Sequence, residues 1–167
     1  MKEVIFFGEK FSVLEQESNE DLVVRKGNEI IVNSHKISPN ILLKQFLEKL
    51  LYSRLDEIYQ QIKKEGKIDV FGDLDFEIVE KIDGKKQRVA KLNGNKILVK
   101  LAAIALPNSA LKYVIAHEIA HTFIKRHTKR FWKTVELMCP DYEKSQKLLT
   151  RFGSILFDSL ISSSHSE

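Results

Sequence analysis

The stretch Tyr113–Trp132 constrains this chain more than any other. From Val114 to Ile124 it is apolar except for His117, Glu118, His121 and Thr122. A helix apolar nearly all round has to be buried. Such a helix stacking two histidines and a glutamate needs partners for them, because unpaired buried polar groups cost free energy. Residues four apart lie on one face of a helix, one turn above each other. His117 and His121 can therefore aim ring nitrogens at one point about 2.0–2.1 Å from each, which is zinc distance. Glu118, the next residue round the helix, lies beside that point and suits a general base acting on a metal-activated water.

His127 is the third candidate ligand. On a straight helix, six residues beyond His121 would carry it about 9 Å along the axis and off the metal face. The chain must therefore turn after about Phe123–Arg126. Thr128 is then placed to cap a new helix containing Phe131, Trp132, Val135 and Leu137. If His127 is not a ligand, Glu136, Asp141 and Glu143 are the next to consider. The spacing from His117 to His127 matches that of metzincins, which have a glycine where this chain has Ile124, so their particular turn is not expected.

His117–His127, followed by Thr128, Phe131-Trp132 and Pro140-Asp141-Tyr142, resembles the YgjP-like (DUF45) metallopeptidase family. That family is related in its site to the SprT and WLM zinc peptidases. The resemblance is specific over about Leu106–Leu149. It implies one zinc held by His117, His121 and His127, with Glu118 catalytic. Family members usually carry a Trp-Gly-Ser-Cys segment ahead of the strand that precedes the zinc helix. This chain departs from that pattern, reading Arg-Val-Ala-Lys-Leu-Asn-Gly-Asn over Arg88–Asn95.

The rest of the chain frames that helix. Val4–Phe7, Phe11–Leu14, Leu22–Arg25 and Glu29–Val32 are β-rich runs broken by turn residues, with Gly27-Asn28 as a hairpin signal. Ser38-Pro39 opens a long helix with a hydroxyl cap and an N-terminal proline, and Gly66 closes it. Its apolar positions recur at helical spacing from Ile41 to Ile62. Leu74, Phe76 and Ile78 alternate with charged residues as in a half-buried strand, and Lys96–Leu101 is the last strand before the zinc helix, which Pro107-Asn108 starts. Tyr142–Leu160 reads as a final helix, and Ser162–Glu167 as a frayed tail. Strands, one long helix, strands and then helices make the fold α+β. We expect a single zincin-like domain over 1–167: a small antiparallel sheet, a long helix in the N-terminal half, and a buried zinc helix. Its parts are strands in 1–36, the helix at 38–65, strands in 67–101 and helices in 108–160.

With 167 residues, 43% of them apolar, the chain can build a real core. Its one cysteine, Cys139, rules out an internal disulfide framework and reads as a core residue. The short apolar run near Met1 is no signal peptide, and no stretch approaches the roughly 20 apolar residues of a membrane span, so a cytoplasmic location is expected. His35 and His165 read as ordinary loop and tail histidines. Charge is uneven: Thr122–Arg151 carries a net +5, leaving −1 elsewhere. That reads as solvated helix faces or as a basic rim attracting acidic substrates or nucleic acid.

Three ligands and an open fourth position point to a zinc peptidase acting on peptide or protein. The competing readings are a metal-dependent phosphohydrolase acting on nucleotides, a protease acting on DNA-bound protein, and a structural zinc module, which would leave Glu118 without a task. Strands beside the helix in H-E-x-x-H peptidases often pair with extended substrate, so Lys96–Leu101 is expected to be the substrate-binding edge.

Overall fold

The computed structural model describes residues 2–69, 72–84 and 88–152. β1 (Lys2–Phe6) and β2 (Glu9–Glu17) form an antiparallel hairpin. Its turn is Phe7-Gly8, with φ of 53° and 83°. Left-handed turns of this kind match the twist of paired strands. Phe7 is an unusual residue for that position, and the Arg54 guanidinium sits 4.0 Å over its ring. β3 (Leu22–Lys26) and β4 (Glu29–Ser34) form the hairpin expected at Gly27-Asn28.

The strand order is β1-β2-β4-β3, with β4 parallel to β2. This is a mixed sheet, not the antiparallel one expected. Burial explains the order: Ile30 and Val32 of β4 are fully enclosed, and the centre of a sheet is where such a strand hides both edges. The connections hold it there. Ser18 N–H donates to the Ser34 carbonyl at 2.9 Å, and the Asp21 carboxylate accepts the backbone N–H groups of His35, Lys36 and Ile37.

α1 (Pro39–Glu65) starts with the Ser38 hydroxyl accepting from Ile41 N–H. It ends at Gly66, left-handed at φ 65°, whose N–H donates to the Lys63 carbonyl. Its buried stripe is Leu42, Leu47, Leu51, Leu55, Tyr59 and Ile62. This stripe touches both sheets and gathers one apolar cluster around itself.

The second sheet contains β5 (Asp75–Val79), β6 (Ala90–Asn93) and β7 (Lys96–Lys100) in the order β5-β7-β6. β7 runs parallel to β5 and antiparallel to β6. Both of its edges are therefore occupied, and it cannot be the substrate-binding edge. The physical reason lies in its sequence: Ile97 and Val99 are fully buried, so this strand belongs in the middle. Among the described residues the outer strand that packs against the helix carrying His117 and His121 is β6.

After β7 a 3₁₀ turn (Leu101–Ala105) leads into α2 (Asn108–His121). The turn is stitched to the first hairpin, with Phe7 N–H donating to the Ile104 carbonyl and Gly8 N–H to that of Ala105. α3 (Lys129–Met138) and a helix α4 over 142–152 complete the described chain. The expected continuation of α4 through Leu156 and Leu160, the tail and His165 lie outside the described residues. No helix among the described residues is long and apolar enough to cross a membrane.

Candidate metal centre

α2 is buried along most of its length, including Leu111, Val114, Ile115, Ala116, Ile119 and Ala120. Its His117 and His121 face the same way, with ring centroids 4.7 Å apart. The helix stops where the Thr122 hydroxyl donates to the Ile119 carbonyl at 2.6 Å, and Phe123 and Ile124 N–H close onto the Ala120 carbonyl. The chain then turns without glycine: Phe7 and Asp83 are the non-glycine residues with positive φ among those described, and neither lies here. The return is secured by Thr128, whose hydroxyl accepts from Phe131 N–H at the start of α3. This is the turn and cap that the sequence called for, and it carries His127 back over α2.

The three imidazoles offer nitrogens that all lie within 4.8 Å of one another. The Nε2 atoms of His121 and His127 are 3.1 Å apart. Nitrogens bound tetrahedrally at about 2.0–2.1 Å stand about 3.3 Å from each other, close to the His121–His127 separation. His121 Nδ1 is 3.2 Å from the Ile124 carbonyl, which can only accept. Nδ1 therefore carries the proton, and Nε2 keeps its lone pair for a cation. His127 is exposed as a residue, yet partial desolvation of its ring, and then the neighbouring His117 and His121, push its pKa below the usual histidine value. That favours the neutral form, the one that ligates a metal.

Glu118 is buried, and its Oε1 lies 3.9 Å from His117 Nδ1, beyond hydrogen-bond range. Its Oε2 is enclosed and has no hydrogen-bond partner. Buried carboxylate oxygens are normally satisfied, and this carboxylate's other oxygen lies near one of the three clustered imidazoles. A cation with an attendant water would meet both needs, so the residues present fit a metal of the zinc kind.

Phe131 forms the floor of the site. It is fully buried, with its ring 5.2, 4.6 and 4.9 Å from those of His117, His121 and His127. Trp132 lies 5.8 Å from His127 and stacks on Tyr142. Tyr113, one turn before His117, accepts from Gln146 through its hydroxyl, and burial raises its pKa. Sequence reasoning gave none of these aromatic residues a place in the site. The available signal was spacing, since Tyr113 precedes His117 by four residues and Phe131 follows His127 by four. Cys139 is buried, with its thiol pKa raised chiefly by that burial, as befits a core residue. Glu136, Asp141, Glu143 and His35 do not join the histidine group, which is the sole cluster of metal-binding type among the described residues.

No curated protein and no solved structure matches the chain. The family model of the YgjP-like metallopeptidase domain matches residues 1–152, a span that takes in both sheets, α1 and all three clustered imidazoles. The resemblance that the histidine spacing suggested thus extends over nearly the whole chain, which belongs to the YgjP-like metallopeptidase family.

Proposed function

We propose that the chain is a zinc-dependent peptidase with His117, His121 and His127 as ligands and Glu118 as its general acid–base. The observation that supports this most is the enclosed Oε2 of Glu118, without a hydrogen-bond partner among the described residues, on a carboxylate next to the His117 member of the histidine cluster. A structural metal site would leave that carboxylate with nothing to do. When bound, the zinc supplies Lewis-acid polarisation of the scissile carbonyl and lowers the pKa of water.

The remaining work falls to side chains of this protein. Glu118 accepts a proton from the attacking water at Oε2 and returns it to the departing amine. Its burial on α2 fixes the carboxylate and keeps bulk water from competing for it. The Ile124 carbonyl orients His121, and Phe131 packs against all three rings. With β7 enclosed, extended substrate is assigned to the outer edge of β6, where backbone pairing gives affinity with little sequence demand.

The test is Glu118→Gln. It should keep its zinc and its fold while losing about 10²–10⁴-fold or more in peptide hydrolysis. His117→Ala, His121→Ala and His127→Ala should each lose zinc by elemental analysis. Full activity in Glu118→Gln would sink the mechanism, and loss of its zinc would mean a misassigned ligand. Nucleotides assayed beside peptides separate this reading from phosphoanhydride hydrolysis.

A further inference from the structure

Lys125, Arg126, Lys129, Arg130 and Lys133 crowd nine residues around His127, and all five are exposed. Elsewhere Lys2, Lys44, Arg54, Lys63, Lys91 and Lys112 each reach a carboxylate. None of the five around His127 forms an ion pair among the described residues, although Glu136, Asp141 and Glu143 are close in sequence. Lys129 and Arg130 also open α3, whose first turn contains no acid. Cations at the positive end of a helix are disfavoured by its dipole. The region around His127 therefore carries a concentration of charge that no acid among the described residues pairs with.

We propose that this collar is a docking surface for acidic polypeptide, so that the enzyme's substrates are chains rich in Asp and Glu near the cleaved bond. The proposal rests on the peptidase reading. Two of the cations precede His127 in the chain and three follow it, so they flank the exposed member of the histidine cluster. For a peptidase, the chain lying there is the substrate. Partly exposed Phe123 and half-buried Trp132 add apolar surface between the charges. Arginine and carboxylate match in geometry as well as charge. Steering of this kind raises encounter rates and weakens with salt.

Binding is read by fluorescence anisotropy on zinc-loaded Glu118→Gln protein. The probes are a labelled peptide alternating Glu and Ala, its Lys counterpart, and a single-stranded oligonucleotide matching the acidic peptide in charge. The Glu peptide should bind about tenfold or more tightly than the Lys peptide at low salt. Adding Lys125→Ser, Lys129→Ser and Lys133→Ser together should erase most of that preference while metal content and circular dichroism stay unchanged. Equal binding of the two peptides would reduce the collar to an ordinary solvated face. An oligonucleotide that binds more tightly and absorbs the whole effect of the triple change would make it a nucleic-acid surface, and the proposal would fall. Cleavage of a proteome-derived peptide library by the unsubstituted enzyme separates the two layers. Cleavage without acidic preference overturns the collar and keeps the peptidase; acid-selective binding with no cleavage keeps the collar and overturns the peptidase.

Discussion

Phe131 offers the sharpest test of how the site is held. Its ring is fully buried and contacts all three imidazoles, so it belongs to the core and to the metal centre together. Truncating a buried phenylalanine to alanine costs about 3–5 kcal/mol, from lost transfer energy and the cavity left behind. For a chain of this size each kcal/mol moves Tm by about 2–4 °C, so Phe131→Ala should melt roughly 6–20 °C lower. Phe131→Leu keeps most of the volume and should cost less than about 1.5 kcal/mol. It nevertheless removes the flat wall against which the rings are set. Groups that orient metal ligands typically matter by about 10–100-fold in affinity, and we expect a loss in that range. Differential scanning calorimetry of metal-free protein gives the stability term, and competition against a chelating dye gives the affinity. If Phe131→Leu bound zinc as tightly as the parent, the floor would not be orienting the ligands. If Phe131→Ala melted within a degree or two of the parent, the burial argument would be wrong.

Thr128→Ala removes the hydroxyl that caps α3 and should cost about 1 kcal/mol, with Thr128→Ser restoring most of it in urea unfolding. Gly66→Ala places a side chain at φ 65° and should destabilise by about 1 kcal/mol in the same assay, although nothing crowds the added carbon. The Asp21 carboxyl is held below its usual value, most of all by the His35 N–H and then by those of Ile37 and Lys36. Its stabilisation is therefore complete above the unfolded value near 3.8 and is lost as pH falls through the lower folded value. Asp21→Asn should be less stable than the parent above that range and converge with it below; parallel stability curves across pH 2–6 would contradict this.

What could be read in advance was local. The caps at Ser38 and Thr128, the glycine stop at Gly66, the hairpin at Gly27-Asn28 and the turn that returns His127 each depend on a few neighbouring residues. Strand order was not legible, because it is decided by competition for the middle of a sheet between segments far apart in the chain. β4 and β7 won that competition through Ile30, Val32, Ile97 and Val99, and their parallel partners followed. At the site, the spacing of the histidines announced the cluster but not its floor. Phe131 in an amphipathic helix looks like any core residue until the chain folds back over α2. The orphaned oxygen of Glu118 is likewise invisible in a motif, since it depends on what fails to reach it.

The two hydrogen bonds from Phe7 and Gly8 to Ile104 and Ala105 bear on the order in which this protein assembles. They join points nearly a hundred residues apart, and closing so long a loop costs about 4 kcal/mol of chain entropy. The hairpin can form on its own early, but the segment feeding α2 cannot dock onto it until the chain has been made through Ala105. On a ribosome, the first strands would wait for the last third of the protein before the three histidines could meet. Contacts this distant in sequence slow folding, and here they make the metal centre a late product of it. A chain lacking its first hairpin would carry His117, His121 and His127 without the contacts that seat the segment leading into α2.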